Sequence, residues 1–220
     1  MILSLFCAVL SYFSYYSDEC NNTVKFICDN KEEIRQTLGK HTSIEQLMAM
    51  SIVAPELSQF SNIFNAIEMR TLFVFYLSIG KSDFSVGYFQ MKPSFIEEME
   101  KVILKDKKLK KQYSDLIPKG SIKEKRRLRL NKLSTLSGQL RYLCLFIDIA
   151  KQKTSTVKFC NDNEKLRYWA TLYNGGFNLS MEEIKERQRV KQFPHFSRKF
   201  NYSDIAVEFY HHKEFYLFLK

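Results

Sequence analysis

The apolar residues of this chain recur mostly at helical spacing, and little of the chain reads as strand. Residues 31–38 form a short helical pattern. Ser43, followed three residues later by Gln46, resembles a capping box, in which the first turn's side chains and backbone amides bond reciprocally. It opens the run 44–53, where Ile44, Leu47, Met48 and Ser51-Ile52 share one face. Pro55 carries no amide hydrogen, so the helix is expected to end or kink there, leaving Glu56 at its C-terminal end. The negative end of a helix disfavours a carboxylate, which raises its pKa and suits a proton donor. A second helix is predicted over 62–79, with Ile63, Phe64, Ile67, Leu72, Phe75 and Tyr76 mostly inward. Further helices follow at 93–103, at 133–150 with Leu136, Leu140, Leu143 and Ile147 on one face, and at 162–173 with Leu166, Ala170 and Tyr173 inward. Gly175-Gly176 stops the last of these, and a final helix runs from about Ser203 to the end. The fold class is therefore mainly α, with one short irregular or hairpin-like segment at 83–92.

That segment, Asp83-Phe84-Ser85-Val86-Gly87-Tyr88-Phe89-Gln90-Met91-Lys92-Pro93-Ser94, is unusual for a plain core element. Gly87 permits close approach of another chain or tight backbone geometry. Gln90 offers two donors and an acceptor. Lys92 precedes a proline and is pushed towards an extended conformation, and Pro93 is suited to the first turn of a helix.

Composition narrows the class further. Seven Gly and four Pro are too few for a turn-rich sandwich or barrel, while 19 Phe and 12 Tyr supply large core pieces and faces on which sugars stack. Residues 2–16 are uncharged and apolar or hydroxylic, too short for a comfortable membrane span. They resemble the apolar region of a secretory leader, so residues 1–17 are expected to be a signal peptide and 18–220 a single exported domain, in the periplasm or cell envelope. A buried N-terminal helix and a short membrane anchor are the alternatives. Removing the leader with Cys7 leaves Cys20, Cys28, Cys144 and Cys160, for which Cys20–Cys28 with Cys144–Cys160 is one of three pairings, and Cys144 also reads as a small buried hydrophobe. No metal-ligand spacing exists, His211-His212 reads as a surface pair, and no cofactor is implied.

Charge is concentrated. Residues 101–132 hold 13 Lys/Arg against three Asp/Glu, so this one stretch carries the whole chain's net charge of +10. It reads as a basic helical insertion, either simply solvated or resting against an anionic membrane or envelope surface. Tyr113 is its sole aromatic residue, so a stacking platform for single-stranded nucleic acid is missing.

Three segments carry a resemblance. They are Ala54-Pro55-Glu56-Leu57-Ser58-Gln59-Phe60-Ser61, then Ser85-Val86-Gly87-Tyr88-Phe89-Gln90-Met91-Lys92-Pro93-Ser94, then Ala170-Thr171-Leu172-Tyr173-Asn174-Gly175-Gly176-Phe177. In this order they resemble the motifs of lysozyme-like lytic transglycosylases and goose-type lysozymes, and the chain is similar to uncharacterised lysozyme-like proteins of the Bacteroidetes. The likeness is confined to these motifs, within 54–177. Leu57 stands where the family often has Ser, and the interval from Glu56 to Gln90 is longer than usual, its extra length holding the helix expected over 62–79.

The resemblance implies a lysozyme-like helical domain that cleaves the β-1,4 bond between N-acetylmuramic acid and N-acetylglucosamine in peptidoglycan. Glu56 is implied as general acid and then base. Tyr173 is implied to orient it. Gln90, with Ser85, Gly87 and Met91, is implied to hold N-acetyl and hydroxyl groups, and Asn174 to fix the turn or contact sugar. Pro55, Leu57, Phe60, Phe89 and Tyr173 are expected to wall the acid. A transglycosylase needs no second carboxylate and leaves 1,6-anhydro ends. A hydrolase needs an activated water, for which Asp83 is the candidate and Glu68 a weaker one. A non-catalytic glycan-binding or envelope module with a basic surface is the reading from a different class.

Overall fold

A computed structural model describes residues 11–60, 74–80, 84–194 and 198–217. The described residues are mainly helical and contain no strand, only two isolated antiparallel bridges, Val86 with Met91 and Phe193 with Phe200. Twelve named helices are used below: α1 Tyr12–Tyr15, α2 Ser17–Asp29, α3 Lys31–Leu38, α4 Ser43–Gln59, α5 Pro93–Lys105, α6 Lys107–Gln112, α7 Ile122–Leu133, α8 Leu136–Lys153, α9 Asp162–Gly175, α10 Met181–Arg187, α11 Tyr202–His211 and α12 Lys213–Leu217.

The helix carrying Glu56 is α4, and its start is one residue earlier than the sequence suggests. Thr42, in extended conformation, is the cap: its hydroxyl accepts from the Glu45 amide at 3.2 Å while the Glu45 carboxylate accepts from the Thr42 amide at 3.0 Å. Ser43 is already helical, and Gln46 instead donates to the His41 carbonyl at 2.9 Å. The expected single buried face is also corrected. Every residue from Leu47 to Pro55 is buried, whereas Ile44 is 50% exposed. Such all-round burial marks a central helix rather than an amphipathic surface one, and α4 packs against α2, α8, α9 and α11.

Pro55 does not end α4, which continues a further turn to Gln59. A proline here leaves the carbonyl one turn back without its amide donor. The neighbouring Ile52 carbonyl is taken by the Tyr202 hydroxyl of α11 at 2.9 Å. The turn after Pro55 is pinned from the N-terminal side. Ser58 Oγ donates to the Pro55 carbonyl at 2.7 Å, so the Tyr12 hydroxyl donates to Ser58 at 2.6 Å and accepts from Gln59 Nε2 at 2.8 Å. Tyr12 is fully buried, and the Glu208 carboxylate accepts from the amides of Tyr12 and Phe13. The packed domain thus already includes residues 11–17, and the boundary expected at 17–18 falls inside it.

Other predicted helices are found with shifted ends. α5 starts at Pro93 as expected and runs on to Lys105. α8 begins at Leu136, because Thr135 caps it and Leu133 closes the preceding helix. α9 starts behind Asn161, whose side chain accepts from the Glu164 amide at 3.0 Å. It ends at Gly176, with φ 97°, whose amide bonds the Leu172 carbonyl at 2.9 Å. The final helix breaks at His212 into α11 and α12. Of the helix predicted over 62–79, residues 74–78 are helical and 61–73 lie outside the described residues. Tyr76 is buried as expected, but Phe75 is 50% exposed.

The basic stretch is built into the domain. Leu109, Tyr113, Leu116, Leu130 and Leu133 are buried, and Arg129 is buried too. Its guanidinium forks onto Glu100 at 2.8 and 2.6 Å, reaches Glu97 at 2.8 Å and contacts the Tyr76 hydroxyl. Charge-assisted bonds of this kind offset the desolvation of a buried cation. The exposed cations are Lys107, Lys108, Lys110 and Lys111 on α6, and Lys123, Lys125 and Arg127 on α7. Cys20, Cys28, Cys144 and Cys160 are all free thiols, so neither expected pairing is formed. Cys144 is buried, with its thiol donating to the Thr37 carbonyl.

Candidate active site

The turn between Val86 and Met91 is the organising element of the site. Two hydrogen bonds close it, Val86 amide to Met91 carbonyl at 3.0 Å and Met91 amide to Val86 carbonyl at 3.1 Å, and these stand in place of a hairpin. Inside it, Gly87 and Gln90 both take left-handed backbone, with φ 73° and 47°. The former suits glycine; the latter is uncommon for a residue with a side chain and is held by its surroundings. Those surroundings clamp Phe89 from both sides. Its amide donates to Gln139 Oε1 at 2.7 Å and its carbonyl accepts from the Tyr173 hydroxyl at 2.7 Å. The phenyl ring is fully buried, and Gln139 Nε2 donates to the Leu133 carbonyl at 2.6 Å.

Behind this turn lies a groove of about 860 Å³. Glu56, Ser85, Gln90, Met91, Tyr173 and Asn174 all line it, so α4, the turn and the end of α9 bring six of the seven expected site residues together. Gly87 is the exception. It lies away from the groove, so close to α8 that a Cβ there would stand 1.7 Å from Gln139 Nε2 and 2.6 Å from the Leu133 carbonyl oxygen. Its role is packing, not substrate contact. Asp83 and Glu68 lie outside the described residues. Of the expected wall around the acid, Tyr173 lines the groove, while Phe60 stacks against Tyr88 at 5.0 Å between ring centroids.

Glu56 is half-buried overall, and desolvation dominates its carboxyl, pushing the pKa from 4.5 up to about 8. The Lys92 ammonium opposes this in part. The carboxyl makes no hydrogen bond with the described residues; Tyr173, expected to orient it, spends its hydroxyl proton on Phe89. Burial holds the phenols of Tyr173 and Tyr202 well above their usual pKa, with the Glu56 charge as the next cause. The acid is thus enclosed by two neutral phenols and one exposed cation, and its free oxygens face the groove. Gln90 uses one amide hydrogen on the Gly87 carbonyl at 2.7 Å, which leaves its oxygen and second hydrogen for a ligand. Asn174 is exposed at the rim.

Several site residues were not signalled as such by the sequence. Tyr202 and the buried Asn201 open α11; Asn201 Nδ2 donates to the carbonyls of Arg187 and Val190, each at 2.8 Å, and so fixes the far wall. The helix-start pattern of Asn201 ahead of Tyr202-Ser203 was readable, but not its reach. Gln139 sits in an otherwise apolar helix run, and Glu98, Glu183 and Arg187 also line the groove. Among the described residues there is no group of side chains suited to a metal ion and no helix long and apolar enough to cross a membrane.

The raised acid makes a stability prediction. In the folded chain Glu56 keeps its proton up to about pH 8, whereas its ordinary value is 4.5, so between these pH values the folded state holds more protons than the unfolded one. Stability from this group therefore falls as pH rises through that window. The shift sets a ceiling of roughly 5 kcal/mol, which groove solvent reduces to about 2–3 kcal/mol. Glu56→Gln is expected to be more stable than wild type by that amount at pH 9, with little difference at pH 4, in urea melts at the two pH values. Equal stability at pH 9 would show that the acid is not raised.

Comparison of the chain with protein-family models, with curated proteins and with solved structures returns no match.

Proposed function

We propose that this chain is a lysozyme-like lytic transglycosylase that cleaves the β-1,4 bond between N-acetylmuramic acid and N-acetylglucosamine in peptidoglycan, working in the periplasm or cell envelope. One observation carries the reading: a lone carboxyl, raised to about 8 and free of hydrogen bonds to described residues, faces a groove built by the three motif segments. The exposed cations of α6 and α7 suit contact with anionic membrane or envelope polymers in that setting.

A glycosidic oxygen is a poor leaving group until it is protonated. Glu56, neutral at pH 7, donates its proton to that oxygen as the bond to C1 breaks, and positive charge gathers at C1. The substrate's N-acetyl oxygen bonds to C1 and holds that charge. Glu56, now a carboxylate beside Lys92, takes the proton from the sugar's 6-hydroxyl. The 6-oxygen displaces the N-acetyl oxygen from C1, which closes the 1,6-anhydro ring and returns Glu56 to its acid form. No water is consumed. Gln90 and Ser85 supply polar contacts to the sugar, and the clamp on Phe89 keeps Gln90 in place before substrate arrives.

Digestion of purified peptidoglycan followed by mass spectrometry of the muropeptides tests this. Products carrying anhydro ends, one water lighter than hydrolytic ones, are expected. Reducing ends would make the enzyme a lysozyme and direct attention to a second carboxylate. No cleavage by folded protein would overturn the reading in favour of a glycan-binding module.

The acid's pKa also fixes the pH profile. Since Glu56 must begin protonated, kcat/KM is expected to fall above about pH 8 with unit slope. Lys92 lowers that pKa, so Lys92→Met is expected to move the alkaline limb to higher pH. An unmoved limb would show that another group controls it.

A further inference from the structure

The groove carries more charge than a neutral glycan strand needs. Besides Glu56 it is lined by two cations, Lys92 and Arg187, and two carboxylates, Glu98 and Glu183. Neither cation forms an ion pair with a described residue, and the carboxylates hold only neutral partners. Glu98 accepts from Asn178 Nδ2 at 3.2 Å, and Glu183 accepts from the Ser180 amide at 2.7 Å.

Arg187 is the best placed of the four. It closes α10, and its carbonyl is fixed by the buried Asn201 at 2.8 Å. Its side chain runs past Gly175, where a Cβ would stand 3.1 Å from both its Cδ and its Nε. Gly175 directly follows Asn174, so the guanidinium is presented beside the motif that meets the sugar. A planar guanidinium on a fixed backbone, with no carboxylate of its own, is suited to grip a carboxylate ligand through two parallel bonds. Glu98 and Glu183 offer the complementary acceptors for an ammonium. Groups of both signs in one groove match a ligand that carries both signs.

Resting on the cleavage reading above, we infer that this wall is a subsite for the stem peptide of peptidoglycan, with Arg187 taking a peptide carboxylate, so the true substrate is peptide-bearing rather than bare glycan. The sugar chain then lies along Glu56, Gln90 and Asn174, and the peptide crosses the segment from Asn178 to Asn201.

The test compares initial cleavage rates on soluble glycan strands that carry stem peptides with the same strands stripped by an amidase. The wild-type enzyme is expected to cut peptide-bearing strands about tenfold faster, the size of one charge-assisted pair on a partly exposed wall. Arg187→Ala is expected to bring the two rates towards equality, and Arg187→Lys to restore only part of the preference, since an ammonium cannot fork. Equal wild-type rates on both strands would overturn the peptide subsite and leave the cleavage reading standing. Cleavage of neither strand would sink the cleavage reading itself. Co-sedimentation of the protein with both strands then decides the subsite, which stands on tighter binding of peptide-bearing strands and falls on equal binding.

Discussion

Glu56→Gln is expected to lose about a thousandfold or more in turnover of peptidoglycan while keeping the fold and the ability to bind strands. The substitution preserves shape and removes only the transferable proton. Two features make the loss large. The carboxyl is raised to about 8 by desolvation, so at neutral pH nearly all of the protein holds the proton that the leaving oxygen needs. No other carboxylate stands in its place, since Glu98 and Glu183 are engaged with Asn178 and Ser180 on the other arm of the groove. The same group also serves the second half of the reaction, as the base for the 6-hydroxyl, so both steps fail together. Glu56→Asp is expected to fall nearly as far, because the shorter side chain withdraws the proton from the leaving oxygen. Peptidoglycan release assays on purified variants, with urea melts to show that both are folded, measure this. Turnover retained in Glu56→Gln would remove Glu56 from the mechanism.

What the sequence made legible, and what it hid, divides along a physical line. Local signals were readable: Pro93 opening a helix, Gly176 closing one, the periodicity of α8 and α9, and the likeness of three short motifs that line one groove. Each depends on residues within a few positions of one another. The errors arise where tertiary packing decides. Pro55 looked like a helix end, but α4 is buried on all sides and its free carbonyl edge is met by Tyr202, so the last turn survives. Residues 11–17 looked like a leader because they are apolar and uncharged, yet the same character lets Tyr12 sit in the core and bond Ser58. Tyr173 was expected on Glu56 through its motif and instead holds the backbone of the turn. Gln139 and Asn201 act across 50 and 14 residues respectively, and no periodicity announces such partners.

Gly87 gives the second large effect, since the motif marks it for substrate contact and the structure assigns it to packing. Gly87→Ala is expected to destabilise the protein by roughly 4 kcal/mol in urea melts, combining left-handed strain of about 1 kcal/mol with the loss of two buried hydrogen bonds. Its backbone stands at φ 73°, where an alanine is strained whatever the space. The new methyl would also lie 1.7 Å from Gln139 Nε2 and 2.6 Å from the Leu133 carbonyl oxygen, so the amide must leave. Its departure strands the Phe89 amide and the Leu133 carbonyl, both inside the protein. Gln139→Ala strands the same two groups but makes room for the methyl. The two substitutions therefore share most of their cost, and in a double-mutant cycle the pair is expected to lose about 2 kcal/mol less than the sum of the singles. Additive losses would show that Gly87 and Gln139 act independently, and the clamp on Phe89 would then have to be held by Tyr173 alone. The catalytic consequence follows from the same geometry. Gln90 adjoins the clamped residue at φ 47°, a conformation it keeps only while Phe89 is held on both sides, so folded Gly87→Ala is expected to show a raised KM before any loss in the chemistry at Glu56.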